Sequence, residues 1–256
     1  MLISLNYLIK KYGLEISGIS HFGAHLGQEV DKYIENNIVN INLFEPQKQI
    51  YKKLYEEYSK HDCIKFFNFG LGSKNSHEIL NVEKDNQGQS SSILNPALHL
   101  DFYPNINFEH NEKIEIRRYE DLNIQDVNFL NIDIQGYELE ALKGSGNSLY
   151  NIDYIFIEIN RDFLYENNPL VKDIDLFLSK YDFIRVESKW ASTSLPFGDG
   201  FYIKRKYLTR KQIIFSKINI KLQNFKLYYL FIDPYRKLKK LIYNLKKKLA
   251  LIIRKN

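Results

Sequence analysis

Between residues 15 and 69 the chain alternates three apolar, β-favouring runs with two amphipathic helical ones, and few folds accept that order. Glu15–His21 reads as a first core strand, Asn40–Glu45, ended by Pro46, as a second, and Ile64–Phe69, closed by a turn at Gly70–Ser73, as a third. Between them, Gln28–Asn37 places Val30, Tyr33 and Ile34 at helical spacing, and Gln47–Lys60 does the same with Ile50, Leu54 and Tyr58. Strands separated by helices pair in parallel, through right-handed crossovers. The pattern is the first half of a doubly wound α/β sheet.

The rest of the chain extends this reading. A helix is expected over Met1–Gly13, with Gly13 as its stop, and a strand over His77–Glu83. Lys84–Ser92 is a polar loop, and Ser91–Phe108, which has no clean period, is expected to fold over a ligand site. Lys113–Arg118 alternates like an edge strand. Val127–Ile134 is an apolar strand interrupted by Asp133, followed by a helix over Tyr137–Lys143 that Gly144 stops. Ile152–Ile159, Phe183–Glu187 and Asp199–Lys204 complete the strands, with a helix at Leu170–Tyr181 and a loop holding Trp190 and Pro196. At 256 residues and 44% hydrophobic, the chain can bury one sizeable core.

Charge divides the chain near residue 205. Residues 206–256 hold 15 Lys/Arg against one acid, Asp233. Residues 1–205 therefore hold 21 of the 36 basic and 30 of the 31 acidic side chains, an acidic body joined to a basic tail. We expect one domain over 1–205, with residues 1–14 as an N-terminal helix, and a basic amphipathic helical tail over 206–256. After Pro234, Leu238, Leu241, Leu245, Leu249 and Ile252 fall at helical spacing with lysines between. Such a tail suits packing on its own domain, an anionic membrane surface, a protein partner or a second subunit. Nucleic acid is the least supported partner, because no recognised binding module is present. Cys63 is the single cysteine, no signal-peptide pattern occupies Met1–Leu14, and no apolar run approaches the roughly 20 residues of a membrane span. A cytoplasmic protein is expected, peripheral at the membrane if the tail binds there.

The stretch Ile16–Gly27, ISGISHFGAHLG, runs a strand into a turn with Gly23, Ala24 and Gly27 and then a helix, a ligand-cradling arrangement. Neither GxGxxG nor GxxxxGK[ST] is present, so the phosphate signatures are missing. Glu45 lies at the end of the second strand, where a carboxylate accepts hydrogen bonds from both hydroxyls of a ribose. A ribose and an adenine without a phosphate describe S-adenosylmethionine, whose carboxylate would sit at the helix beginning near Gly27. Asp133 and Glu158 end two later strands, and two acids on neighbouring strand ends outline a shared polar cleft.

Four segments in order, HFGAHLGQE, LFEP, GQSSSIL and NFLNIDIQGYELEALKG, make residues 15–204 resemble the FkbM family of S-adenosylmethionine-dependent methyltransferases. The last segment resembles the family's most distinctive motif, written around KIDVEGxExxxLKG. The resemblance implies a Rossmann-like class I methyltransferase fold, with a mostly parallel seven-stranded sheet and helices on both faces, and O-methylation, often of sugars or polyketide-like hydroxyls. His21 stands where the family commonly has Asp, Asn131 where it has Lys and Gln135 where it has Glu, whereas Asp133, Gly136, Glu138 and Gly144 are kept. Methyl transfer from a sulfonium needs alignment and, for a hydroxyl acceptor, removal of a proton. Asp133 is the leading base, with His25 and His21 as further candidates and Glu158 as a group to hold the acceptor. His21, Gly23, Ala24, Gly27, Glu45 and Asp133 are the expected cofactor contacts, and Ser90–Ser92 could bond either ligand. No HExxH or CxxC spacing occurs, so no metal is expected. The preferred acceptor is a glycan hydroxyl. Other readings are a non-catalytic Rossmann-like module recruited by its tail, and a nucleic-acid methyltransferase.

Overall fold

A computed structural model describes residues 1–223, except 86, 104, 193 and 194 and the side chains of 109 and 221–223. The elements in chain order are α1 (Leu5–Tyr12), β1 (Ile19–Phe22), α2 (Val30–Glu35), β2 (Ile41–Phe44), α3 (Lys48–Tyr58), β3 (Ile64–Phe67), β4 (Gly70–Leu71), β5 (Ser76–Glu83), α4 (His99–Phe102), β6 (Phe108–Arg117), β7 (Phe129–Ile132), α5 (Glu138–Ser145), β8 (Tyr154–Asn160), α6 (Val171–Ser179), β9 (Phe183–Trp190), β10 (Phe197–Lys204) and α7 (Arg210–Gln223).

Seven strands form one sheet in the order β3-β2-β1-β7-β8-β10-β9. The pairs β1–β2, β2–β3, β1–β7 and β7–β8 are parallel, and β10 runs antiparallel to β8 and β9. This is the Rossmann-like sheet expected. The chain leaves β1 toward β2 and β3, then returns to β7 on the other side of β1, so the strand order reverses at β1. Open α/β sheets bind ligands at such a reversal, beyond the carboxyl ends of the strands.

Side chains alternate across the buried strands. Ile19, Ile41, Leu43 and Phe129 join one core with Leu8, Val30, Tyr33 and Leu54. Phe22, Phe44, Leu130, Ile132 and Ile157 join the other with Ala141, Leu142, Ile174 and Leu178. Each such fully buried Val, Leu, Ile or Phe side chain contributes roughly 1.5–3 kcal/mol by its removal from water. With both faces covered, the sheet holds its strand ends rigidly enough to carry a site.

Four expectations are corrected. Gly70 and Leu71 are not a closing turn; they form β4, which pairs with β6. β6 is the middle strand of a second sheet, β4-β6-β5, so Lys113–Arg118 is not an edge. Trp190 ends β9 rather than lying in a loop. Gly144 does not stop α5, which continues to Ser145. A Cβ on Gly144 would sit 1.8 Å from the Gly72 carbonyl oxygen, so this glycine permits a backbone to pass the helix. Element ends otherwise depart from the expected bounds in both directions: β6 starts five residues early, at Phe108, and β10 two residues early, at Phe197, whereas α1 starts only at Leu5 and β1 only at Ile19. Ser91–Phe108 includes the single-turn α4, and His99, Tyr103 and Ile106 of this stretch line the main cavity.

α7 packs beside β9 and leaves Ile214, Phe215 and Ile218 exposed. The helical pattern after Pro234 lies outside the described residues. No helix among them is long and apolar enough to cross a membrane.

Gly144→Ala should destabilise the protein by roughly 2–3 kcal/mol, because backbone rather than a flexible side chain must yield. At this size calorimetry should then show a midpoint lower by about 5–10 °C, and an unchanged midpoint would mean that α5 does not approach Gly72 this closely.

Candidate functional site

A cavity of about 730 Å³ opens beyond the carboxyl ends of the central strands. Its wall includes Gly23 and His25 after β1, Glu45 after β2, Asp133 and Gln135 after β7, and Glu158 on β8. Leu80, Ile114 and Ile116 of the small sheet form an apolar side, and Leu2 crosses near Asp199.

The turn after β1 is stitched to β2. The Gly23 and Ala24 N–H groups both donate to the Phe44 carbonyl, at 3.0 and 2.9 Å. Gly23 has φ +81°, and a Cβ there would lie 2.0 Å from the Asp133 carbonyl oxygen. Ala24 is fully buried in the core behind the turn, and Gly27 packs under α3, where a Cβ would meet Tyr58 at 2.6 Å. Neither lines the cavity, because both are spent on packing the turn. α2 begins only at Val30.

His25 adopts φ 48° and its N–H donates to Glu45 Oε2 at 3.0 Å. Its ring is held on both sides. The Gln87 carbonyl lies 2.8 Å from Nε2 and Gln28 Nε2 lies 2.9 Å from Nδ1. A carbonyl only accepts, so Nε2 carries the proton and Nδ1 accepts from Gln28. Glu45 is buried, and its Oε1 accepts from the Gln47 N–H at 2.8 Å. Burial outweighs these two backbone donors and pushes the Glu45 carboxyl up to about 7.

His21 and Asn131, two of the three departures from the family motifs, face each other in the β1–β7 register. Tyr33 joins them. Asn131 Nδ2 donates to the Tyr33 hydroxyl at 2.7 Å, and that hydroxyl lies 3.2 Å from His21 Nδ1, to which it donates. Burial lowers the pKa of His21, so it is neutral at neutral pH. The β1–β7 pair therefore carries a neutral, hydrogen-bonded trio here.

Gln135, the third departure, lies among carboxylates. Its Nε2 is 2.9 Å from Asp133 Oδ1 and 3.1 Å from Glu158 Oε2. Glu158 is raised well above the usual carboxylate range by burial, then by Asp133 and Glu138. Glu138 is fully buried; its Oε1 accepts from the N–H groups of Ile134 and Gly136 and so braces the turn that carries Asp133. Asp199 stands opposite Glu158 on β10, accepts from the Leu2 and Ile3 N–H groups, and is pushed by burial up to about 6.

Sequence reasoning missed Asp199, His99 and Tyr165. A lone acid in the apolar run Phe197–Ile203 was the available signal for Asp199; nothing in the local pattern marks the other two. Ser90 and Ser91 line the cavity, whereas Ser92 turns away to donate to the Gln135 carbonyl at 2.6 Å. No group of three or more His, Cys, Asp or Glu able to hold a metal occurs among the described residues.

The arrangement fits a nucleoside that carries a cation. Gly23 leaves room at the turn, Glu45 offers a carboxylate held by backbone donors, and Glu29, Asp133, Glu158 and Asp199 make the wall acidic. Among the described residues no Lys or Arg side chain lines the cavity, and the Met1 amino group there is bonded to Glu29.

Known methyltransferases are similar to this chain. The family described as Methyltransferase FkbM domain matches residues 21–185. The 2-O-methyltransferase NoeI of Sinorhizobium fredii is 25% identical over 172 residues, which cover 63% of this chain and 71% of that protein. A crystal structure of a methyltransferase FkbM from Methylobacillus flagellatus is 16% identical with TM-score 0.49, covering 73% of this chain and 43% of the other. The present chain thus spans less than half of that protein. Magnesium protoporphyrin IX methyltransferase from Synechocystis, solved with bound S-adenosylmethionine, is 7% identical with TM-score 0.44, covering 77% and 74% of the two chains.

Gly23→Ala should displace the Asp133 loop. Isothermal titration with S-adenosylhomocysteine is expected to show affinity reduced at least tenfold, about 1.4 kcal/mol. Parental affinity in a folded variant would show that this close approach does not shape the binding site.

Proposed function

Because this chain belongs to the FkbM methyltransferase family, whose methyl donor is S-adenosylmethionine, we propose that it is an O-methyltransferase acting on a hydroxyl of a sugar, glycan or similar small acceptor. The observation that carries this reading is that Glu45 and Asp133, on opposite sides of the strand-order reversal, border one cavity. Glu45 would hold the donor's ribose hydroxyls, with Gly23 and His25 beside it. The bound donor supplies an electrophilic methyl group on a sulfonium leaving group.

The protein's own task is to align the acceptor and take its proton. Asp133 has the base role because its carboxylate is open to the cavity. His25 has both ring nitrogens engaged, and His21 is buried with Nδ1 bonded to Tyr33. Glu158 borders the acceptor's side. The acidic wall favours an acceptor without negative charge, and it argues against nucleic acid, whose phosphates are held by Lys and Arg. The name of the NoeI relative supports oxygen as the methylated atom. Exposed Ile214, Phe215 and Ile218 beside Lys211 and Lys217 favour an anionic membrane surface or a protein partner for the basic segment that begins at residue 206.

Three outcomes are expected. In an acceptor screen with methyl-labelled S-adenosylmethionine, neutral glycosides should gain label; failure of the donor to bind by calorimetry would sink the reading. Asp133→Asn should lower kcat by about 10²–10⁴ while S-adenosylhomocysteine affinity stays within about threefold; unchanged turnover would remove Asp133 as the base. Donor affinity should fall as pH drops through about 7, approaching tenfold per pH unit, because protonated Glu45 cannot accept two ribose hydroxyls. Glu45→Gln should bind more weakly and lose that slope, and a slope that persists in the variant would assign it to another group.

A further inference from the structure

We propose that Gln135 is a positioning residue which clamps Asp133 and Glu158 into one proton-sharing pair, so that the two carboxyls act together as a single base. The proposal rests on the reading of Asp133 as the base and adds how its charge and direction are set.

An amide nitrogen has two hydrogens, and Gln135 Nε2 has two acceptors, Asp133 Oδ1 at 2.9 Å and Glu158 Oε2 at 3.1 Å. The opposite orientation would turn an amide oxygen toward two carboxyls and leave both without this donor. Gln135 Oε1 then lies 3.0 Å from the Tyr165 hydroxyl, whose proton is placed between that oxygen and the Ser90 carbonyl, also at 3.0 Å. The backbone is fixed as firmly. Gln135 has φ 53° and Gly136 φ 98°, two left-handed residues in succession, and the Ser92 hydroxyl holds the Gln135 carbonyl. Gln135 is thus fixed at its backbone and at both ends of its amide.

The groups around the pair are nearly all acidic or neutral. Asp133 faces Glu158 from the turn after β7, Glu138 from the start of α5, Asp199 from β10, Tyr103 from the segment after α4, and Tyr165 from the loop after β8. His21, which faces Asp133, is neutral, and the Met1 amino group nearby is bonded to Glu29. Two full negative charges side by side in this setting are costly, whereas one proton between them leaves a single charge that the amide's two N–H groups stabilise.

In the reaction the acceptor's O–H bond breaks and its proton goes to the Asp133 carboxylate. The oxygen's electron pair forms the new bond to the donor's methyl carbon, and the C–S pair leaves with sulfur. Glu158 keeps the shared proton, and Asp133 returns its newly gained proton to solvent.

Carboxyl ¹³C NMR on the full chain, titrated without donor or acceptor, tests the pairing directly. In the wild type one carboxyl of the pair should remain protonated at pH 7 and the other ionised. Gln135→Met, similar in length but without donors, should raise the pH at which the pair first ionises by about one pH unit, and should shift the acid limb of methyl transfer with it. Gln135→Glu, which can donate only when protonated, should shift both in the same direction. Independent ionisation of both carboxyls in the ordinary range near 4 in the wild type would overturn the proposal even if the variants did not fold. So would an unmoved titration in a folded Gln135→Met, which marks a purely structural role. Neither result depends on the acceptor, whereas failure of Asp133→Asn to lose turnover would reject the base assignment and leave the pairing intact.

Discussion

The close approach of the turn after β1 to the end of β7 sets the geometry of the whole site. Gly23 rests against the Asp133 carbonyl with no space for a side chain, while its N–H and that of Ala24 are bonded to the end of β2. Three strand ends are therefore fixed to one another by backbone. Glu45 and Asp133 are carried on those ends, so their separation is a property of the sheet rather than of mobile loops. The cores on both faces supply the stiffness, and the reversal of strand order at β1 supplies the crevice.

Acidity at such a crevice has to be managed, and the chain does so in different ways at different acids. Glu45 and Glu138 each receive two backbone N–H groups, which bind the carboxylate without adding a positive charge. Asp199 receives the amides of the N-terminal segment. Asp133 and Glu158 share an amide side chain instead. Beneath them, His21, Tyr33 and Asn131 form a relay without net charge across the β1–β7 pair. These residues in register keep that buried layer hydrogen-bonded.

Much of this was legible in the sequence because it follows from local pattern. The alternation of strands and helices gave the sheet, and acids at the ends of apolar strands pointed to Glu45, Asp133 and Glu158, all of which line the cavity. What local pattern hid was set by long-range packing. The second glycine of the turn, Gly27, looks like a ligand contact in one dimension but is required by Tyr58, far along the chain. Gly144 reads as a helix stop and is instead a passage for Gly72. Asp199 reaches the site only because β10 inserts antiparallel beside β8, and Tyr165 only because its loop folds back onto Gln135. His25, apparently free in a glycine turn, has both nitrogens occupied by partners that sequence spacing does not reveal.

In the function proposed here, the donor's nucleoside lies on the β2 side of the reversal and the proton is taken on the β7–β8 side. A crystal structure with S-adenosylhomocysteine tests this most directly. Ribose hydroxyls on Glu45 and the sulfur directed toward Asp133 are the expected result. A nucleoside bound away from Glu45, or a sulfur facing away from Asp133 and Glu158, would contradict it.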